Sequence, residues 1–322
     1  MLYKWSMDWL YGRSKLSIVI SFAQRTILTA PDNLFSIAIM TDTQRETKST
    51  DGRFNHRADW LVANKNALSL RFVLQVGDLT DWGEEDENHY IRASDGLAKL
   101  ETAGISYALC PGNHDTRAVT TGGAARDTSN TRTLVRETPK WNEYFPPTRF
   151  PKLKGVFEAN KTDNCFHVFQ AGGVKWLVLA LEFMPRFTAV AWAKTVVAAH
   201  PDYNVIVLTH MFLDGGSSIG QSAEYGESSP QYLFDNLIKV YPNVRFVFAG
   251  HIPTWGQAEL TGTNGNKIYA FNDCWHHADN NPTRIVKFNM SAKKFDTYVY
   301  MPLTSVVEPG TSATKTNVNW VR

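Results

Sequence analysis

An α/β fold with parallel strands is what the sequence predicts, and three observations carry the prediction. From Leu34 onward, short apolar runs alternate with segments of helical periodicity, the rhythm of strands joined by crossover helices. The early apolar runs stop at acidic, asparagine or histidine residues, and open α/β sheets bind ligands beyond the carboxyl ends of their strands. After Trp255 the helical pattern ceases, and a series of strand-like runs reads as an antiparallel layer completing a sandwich.

Taken in order, Phe35–Met40 is a buried strand ending in Thr41-Asp-Thr-Gln44. Ala58, Leu61 and Val62 lie at helical spacing. Arg71–Val76 is a strand ending at Gly77-Asp78. Tyr90, Ala93, Leu97 and Leu100 form one apolar helix face, with Gly104 as the stop signal. Ile105–Leu109 is a strand ending at Pro111-Gly-Asn-His-Asp115, and residues 116–130 read as a long loop. Phe166–Gln170 and Val174–Leu181 flank Ala171-Gly-Gly173, a hairpin signal, and the second run ends at Glu182. A helix through Trp192 leads to the strand Asn204–Thr209 and His210. The Gly/Ser-rich loop Gly215–Ser229 is placed to cover a site. The helix Leu233–Val240 then precedes the strand Arg245–Ala249, which ends at Gly250-His251. Gln257–Thr261, Lys267–Asn272, Arg284–Asn289 and Lys294–Met301 are the closing strands. Residues 1–33 stand apart as an N-terminal extension without an assigned role, 34–301 form the domain, and 302–322 are a tail expected to be peripheral.

Composition narrows the function classes. Of the 322 residues, 43% are apolar and 20% charged, which suffices for a real core and argues against disorder. Basic residues number 33 and acidic residues 31, a net +2 that argues against holding nucleic acid by electrostatics alone. Nor do basic residues interleave with aromatics in a stripe that would track a nucleic-acid backbone. Cys110, Cys165 and Cys274 show no CxxC spacing, so a zinc ribbon or dense disulfide scaffold is not expected. No apolar run reaches the ~18 residues of a membrane-spanning helix. Leu16–Ala23, preceded by Lys4, Arg13 and Lys15, is the candidate signal segment, but it is short and followed by Arg25. A cytoplasmic location is favoured over secretion.

The strand ends carry polar clusters in a fixed order: Asp42-Thr-Gln44, Gly77-Asp78-Leu-Thr-Asp81, Gly112-Asn-His-Asp115, Thr209-His210 and Gly250-His251. Carboxylate, imidazole and amide oxygen together suit a divalent transition metal. Each cluster alone is weak, because a strand-end Asp often caps a helix and a buried His is often structural. Their succession is the signal. His56, His89, His167 and His200 fall outside these clusters and read as structural or solvated.

In order and spacing these clusters resemble the calcineurin-like metallophosphoesterase superfamily, over about residues 34–301. Asp42-Thr-Gln44, Leu181-Glu-Phe183 and Thr209-His-Met-Phe-Leu213 resemble a bacterial and phage branch of it. The resemblance implies a four-layer α/β/β/α sandwich with a two-metal site that hydrolyses phosphoesters with metal-activated water. It implies Asp78 as the bridging ligand, Asn113, His210 and His251 on one metal, and Asp42 with Gln44 on the other. His114 would be the general acid, with Asp81 orienting it, and Arg117 is a candidate for phosphate contact.

Two positions depart from the family's usual form. The first motif is commonly Asp-x-His, here Asp42-Thr-Gln44, and the last is Gly-His-x-His, here Gly250-His-Ile-Pro253. Both missing imidazoles belong to one metal. An amide oxygen is acceptable to manganese or magnesium and poorer for zinc or iron, so the ion stays open among these four, and one or two are expected. Glu182, His276 and His277 are candidate substitutes. A metal-dependent hydrolase of small phosphoesters, diester or monoester, is the leading expectation. A degenerate fold kept for binding or structure is the alternative, and a nuclease ranks below both.

Overall fold

The computed structural model describes residues 33–275 and 279–322. The extension through residue 32, with its signal candidate Leu16–Ala23, and the substitute-ligand candidates His276 and His277 lie outside the described residues. Two seven-stranded sheets dominate the fold. In the first, Leu34–Met40, Leu70–Gln75 and Ser106–Leu109 run parallel, and Thr283–Asn289 joins Leu34–Met40 antiparallel. In the second, Val174–Ala180, Tyr203–Leu208, Val244–Ala249 and Lys267–Asp273 are mutually parallel.

Side-chain alternation turns the two sheets into four layers. Phe35, Ile37 and Ile39 point into the core between the sheets, where they join Trp176, Val178, Ala180, Ile206, Leu208, Phe246 and Phe248. Their neighbours Ala38 and Met40 face outward onto a second core with Leu61, Tyr90, Leu97 and Leu100, from the helices Arg53–Asn64 and Asn88–Thr102. Leu177 and Leu179 likewise face the helix Phe187–Ala198 and residues 230–238. Strands buried on both faces read as continuous apolar runs, which is why the pattern from Phe35 to Met40 shows no polar alternation. The result is the expected α/β/β/α sandwich. The hairpin signal also corresponds to an observed turn: Gly172 and Gly173, at φ 65° and 73°, link antiparallel strands in the doubly left-handed conformation that suits a two-residue turn.

Two expectations need correction. The closing strands do not form one antiparallel layer. Trp255–Thr261 and Lys267–Asp273 extend the second sheet, and the latter is parallel to its neighbour Val244–Ala249. Thr283–Asn289 and Lys294–Met301 extend the first sheet. The chain changes sheets between them, a step that local periodicity does not record. The tail is not peripheral either. Val306–Val307 and Ala313–Lys315 both pair with Lys294–Met301, and Trp320 packs on Trp176, Phe246 and Phe288 in the inter-sheet core. One large aromatic in a polar Thr/Asn-rich segment leaves too little pattern to read.

Candidate metal centre

Parallel strands deliver the polar clusters to one end of the sandwich. Asp42, Asp78 and Asn113 follow three strands of the first sheet, and His210 and His251 follow two of the second. Contacts between these clusters tie the sheets together. His210 Nδ1 lies 2.8 Å from the Val76 carbonyl oxygen, and its Nε2 lies 3.2 Å from Asp78 Oδ1. The His251 backbone N–H donates to Asp42 Oδ2 at 3.0 Å, and its Nδ1 lies 3.1 Å from Asn113 Oδ1.

The close approach demands special backbone. Gly77 sits at φ 95°, and a Cβ there would fall 2.5 Å from His210 Nδ1. A Cβ on Gly250 would fall 1.9 Å from Asp42 Oδ1, so the carboxylate occupies the space a side chain would need. Asp78 and His251 hold left-handed conformations, φ 49° and 72°, that cost non-glycine residues about 1–3 kcal/mol each.

Donor chemistry tests whether a cation fits. The Val76 carbonyl can only accept, so His210 Nδ1 carries the hydrogen and Nε2 of the neutral ring is an acceptor. It faces an Asp78 oxygen, another acceptor. The Glu224 carboxylate lies 3.3 Å from His251 Nε2 and can accept that ring's hydrogen, which leaves Nδ1 a lone pair on the side of Asn113. A cation can bridge His210 Nε2 and Asp78 Oδ1, a place that the second ring proton of His210 takes in its absence. Asp78, His210 and His251 offer ligand atoms that lie within 4.8 Å of one another. Asp42 Oδ1, Gln44 Oε1 and His210 Nε2 are buried without hydrogen-bond partners among the described residues. The residues therefore fit a divalent cation.

The titration behaviour agrees. Burial pushes Asp42 up to about 7, with the His210 charge opposing and Asp78 reinforcing the rise. Asp78 is held well below the usual carboxylate range despite full burial, because His210 and His114 surround it. Burial opposes charge on His210, yet Asp78 and Asp42 raise it to about 9. These carboxylates create a strong local demand for positive charge.

His114 sits beside this cluster. Its backbone N–H donates to Asp78 Oδ1 at 3.0 Å, and its Nδ1 lies 2.7 Å from the Asp81 carbonyl and 3.0 Å from Asp81 Oδ1. Burial disfavours its charge, but Asp78 and Asp81 raise it to about 9. Lys48 pairs with the other Asp81 oxygen at 3.0 Å and lies over the Trp82 ring.

The remaining candidates have other partners. Glu182 is buried, and its Oε1 accepts from the Arg186 N–H and Nε at 3.0 and 2.9 Å, with Arg136 at 3.6 Å from Oε2. The substitute-ligand role for Glu182 loses its geometric support, because that charge is already neutralised. Arg117 is half-exposed and pairs with Glu137. Gln44 is buried at the start of the helix Gln44–Lys48, while Pro253 is exposed. His89 and His167 are buried away from the clusters, as expected, and His56 is exposed.

Three groups have roles that the sequence does not disclose, although Asp115 falls within one of the motifs. Asp115 accepts from the N–H groups of Leu79, Thr80 and Gly112 and from Thr80 Oγ1, at 2.7–3.1 Å, and so clamps two motif loops together. Glu224 and Tyr225, on the Gly/Ser-rich loop, reach His251 and Asn113. Cys274 lies against the Asp42 carboxyl. The loop's composition was the sole hint of the second group.

Comparison with known proteins agrees with this geometry. A curated relative, the uncharacterized protein YvnB of Bacillus subtilis (strain 168), is 25% identical over 241 residues, 74% of this chain. The chain spans 16% of that relative's length. Among solved structures, a dimetal phosphatase from Danio rerio aligns with TM-score 0.51 and 11% identity, covering 88% of this chain and 98% of its own. GAP50 of Plasmodium, described as the anchor in the inner membrane complex, aligns with TM-score 0.53 and 12% identity, covering 89% of each chain. At such identities these two share the fold alone. Residues 35–254 match the calcineurin-like phosphoesterases, and the chain belongs to that family.

Proposed function

We propose that this protein is a metal-dependent hydrolase of small phosphoesters. The observation that carries the reading is the convergence of Asp78, His210 and His251, whose ligand atoms lie within 4.8 Å of one another, with Asp42 Oδ1 and Gln44 Oε1 buried and without hydrogen-bond partners among the described residues. Asp78, Asn113, His210 and His251 would hold one cation, and Asp42, Gln44 and the shared Asp78 a second. Bound there, divalent cations supply charge neutralisation for the phosphoryl oxygens and an acidified water as nucleophile.

The chain's own residues supply the rest. Asp81 fixes His114 through Nδ1, which leaves Nε2 to carry a proton toward the leaving oxygen. An imidazole raised to about 9 is charged at neutral pH, and dications near Asp78 would lower that value toward the working range of a general acid. Asp78 keeps its charge because its pKa lies far below neutrality. Arg117 is exposed enough to swing from Glu137 toward a substrate, which keeps it as a candidate phosphate contact. Small phosphoesters are favoured over nucleic acid because the near-neutral charge balance supplies little electrostatic attraction for a polyanion. Among the described residues no helix is long and apolar enough to cross a membrane.

The test is hydrolysis of bis-p-nitrophenyl phosphate beside the monoester, in chelator and then with manganese or zinc, with Asp78→Asn as control. Metal-dependent turnover lost in the variant supports the reading, and the diester-to-monoester ratio narrows the substrate class. Metal binding without turnover of either ester would favour a binding role. Gln44 and Pro253 motivate that second reading, and GAP50, described as an anchor, shares the fold.

A further inference from the structure

The first half of the metal centre lacks two imidazoles, but the fold brings another donor to it. Lys267–Asp273 runs parallel to Val244–Ala249, with Asn272 opposite Ala249. Cys274 directly follows Lys267–Asp273, as Gly250-His251 follows Val244–Ala249. Cys274 thus follows a sixth strand whose carboxyl end meets the site, after those that deliver Asp42, Asp78, Asn113, His210 and His251. The thiol is 2% exposed and lies against the Asp42 carboxyl. Asp42 is itself 3% exposed, interacts electrostatically with both His210 and Asp78, and keeps Oδ1 without a hydrogen-bond partner among the described residues. Gln44, two residues on and also buried, keeps Oε1 without one. The Cys274 sulfur and the Asp42 carboxylate therefore meet at the half of the site where the family's usual imidazoles are absent.

We propose that Cys274 is a ligand of the first metal, its thiolate replacing the missing imidazole. The inference rests on the metal reading above and adds a donor to it. As the metal–sulfur bond forms, the S–H bond breaks and its proton leaves to solvent, so binding at this position releases a proton. Sulfur also changes which ion is preferred. Asp42 and Gln44 alone are a hard oxygen set suited to manganese or magnesium, whereas a thiolate shifts the position toward zinc or iron.

The experiment titrates the chelator-treated full chain with cobalt(II) alone under a phosphine reductant. Sulfur-to-cobalt charge transfer in the near ultraviolet is recorded against the cobalt bound per chain. The expected result is a charge-transfer band in the wild type, abolished in Cys274→Ser, with one equivalent still bound at the Asp78–His210–His251 position. The double variant Cys110→Ser/Cys165→Ser, in which Cys274 is the sole thiol, must keep the band, so the test does not depend on the folding of one variant. Cobalt bound by the wild type without the band overturns the inference and leaves the metal reading intact. A band that survives Cys274→Ser or disappears in the double variant also overturns it. Absence of any bound cobalt overturns the metal reading and this inference together.

Discussion

The two halves of the proposed metal centre differ in how the fold holds their donors. In the second half, Asp78, His210 and His251 also join the sheets: His210 to the Val76 carbonyl and to Asp78, and His251 through its backbone to Asp42. In the first half, Asp42 shares in such a tie, but Gln44 opens a short helix and Pro253 lies in the turn after Gly250. Gln44, Asn113 and Pro253 each lie four residues past a strand, so distance from the sheet does not separate the halves. What separates them is the inter-sheet contact: Asn113 meets His251 across the sandwich.

The largest expected effect follows from Asp78, which would serve both halves. Asp78→Asn should reduce kcat/KM by about a thousandfold or more, the scale seen when a central electrostatic group is removed. It should weaken metal binding at both positions in calorimetry. Retained activity would break the comparison at its root. Next, His114→Gln should lower kcat by about 10²–10⁴-fold while metal content is unchanged, since it lies beside the ligands and not among them.

Smaller changes separate the halves. Gln44→His restores an imidazole to the first half alone. It should raise zinc affinity there by about tenfold, a typical effect for changes around a metal ligand, and leave the other equivalent as it was. Glu224→Gln acts on the second half alone. Its carboxylate can accept the His251 Nε2 hydrogen, so its loss should weaken that metal by about tenfold without touching the first. Equal effects on both equivalents in competition titrations would show that the halves are not separable.

What was legible in the sequence follows the same division. Strand ends can be read because an apolar run stops at a polar residue, and so Asp42, Asp78, Asn113, His210 and His251 could be placed before any coordinates. The Asp81–His114 contact was legible through motif spacing. Glu224 and Tyr225 were not, because a Gly/Ser-rich loop has no periodicity to orient its side chains. Cys274 is not legible, because a reading of Lys267–Asn272 as part of an antiparallel layer gives its carboxyl end no reason to meet the site. The parallel pairing with Val244–Ala249 is a long-range choice, and Trp320 was missed for a similar reason.

The smallest effect contrasts two histidines that are equally buried. His210 has the carboxylates of Asp78 and Asp42 beside it and is raised to about 9, a contribution to stability present below about 6.5 and lost as pH rises through 9. His167 has only Phe72, Phe150 and the Cys165 sulfur around its ring, and burial drives it down to about 3. Its sign is the reverse: the unfolded chain binds a proton that the native ring refuses, so stability is full above about 6.5 and falls as pH drops toward 3. At about 1.4 kcal/mol per pH unit, His167 should account for roughly 2–3 kcal/mol of the stability lost between pH 7 and pH 4.5. Urea unfolding of metal-free wild type and His167→Leu at both values reads this directly. The variant's drop between them should be smaller by that amount, and equal drops would mean that the core admits the charged ring after all.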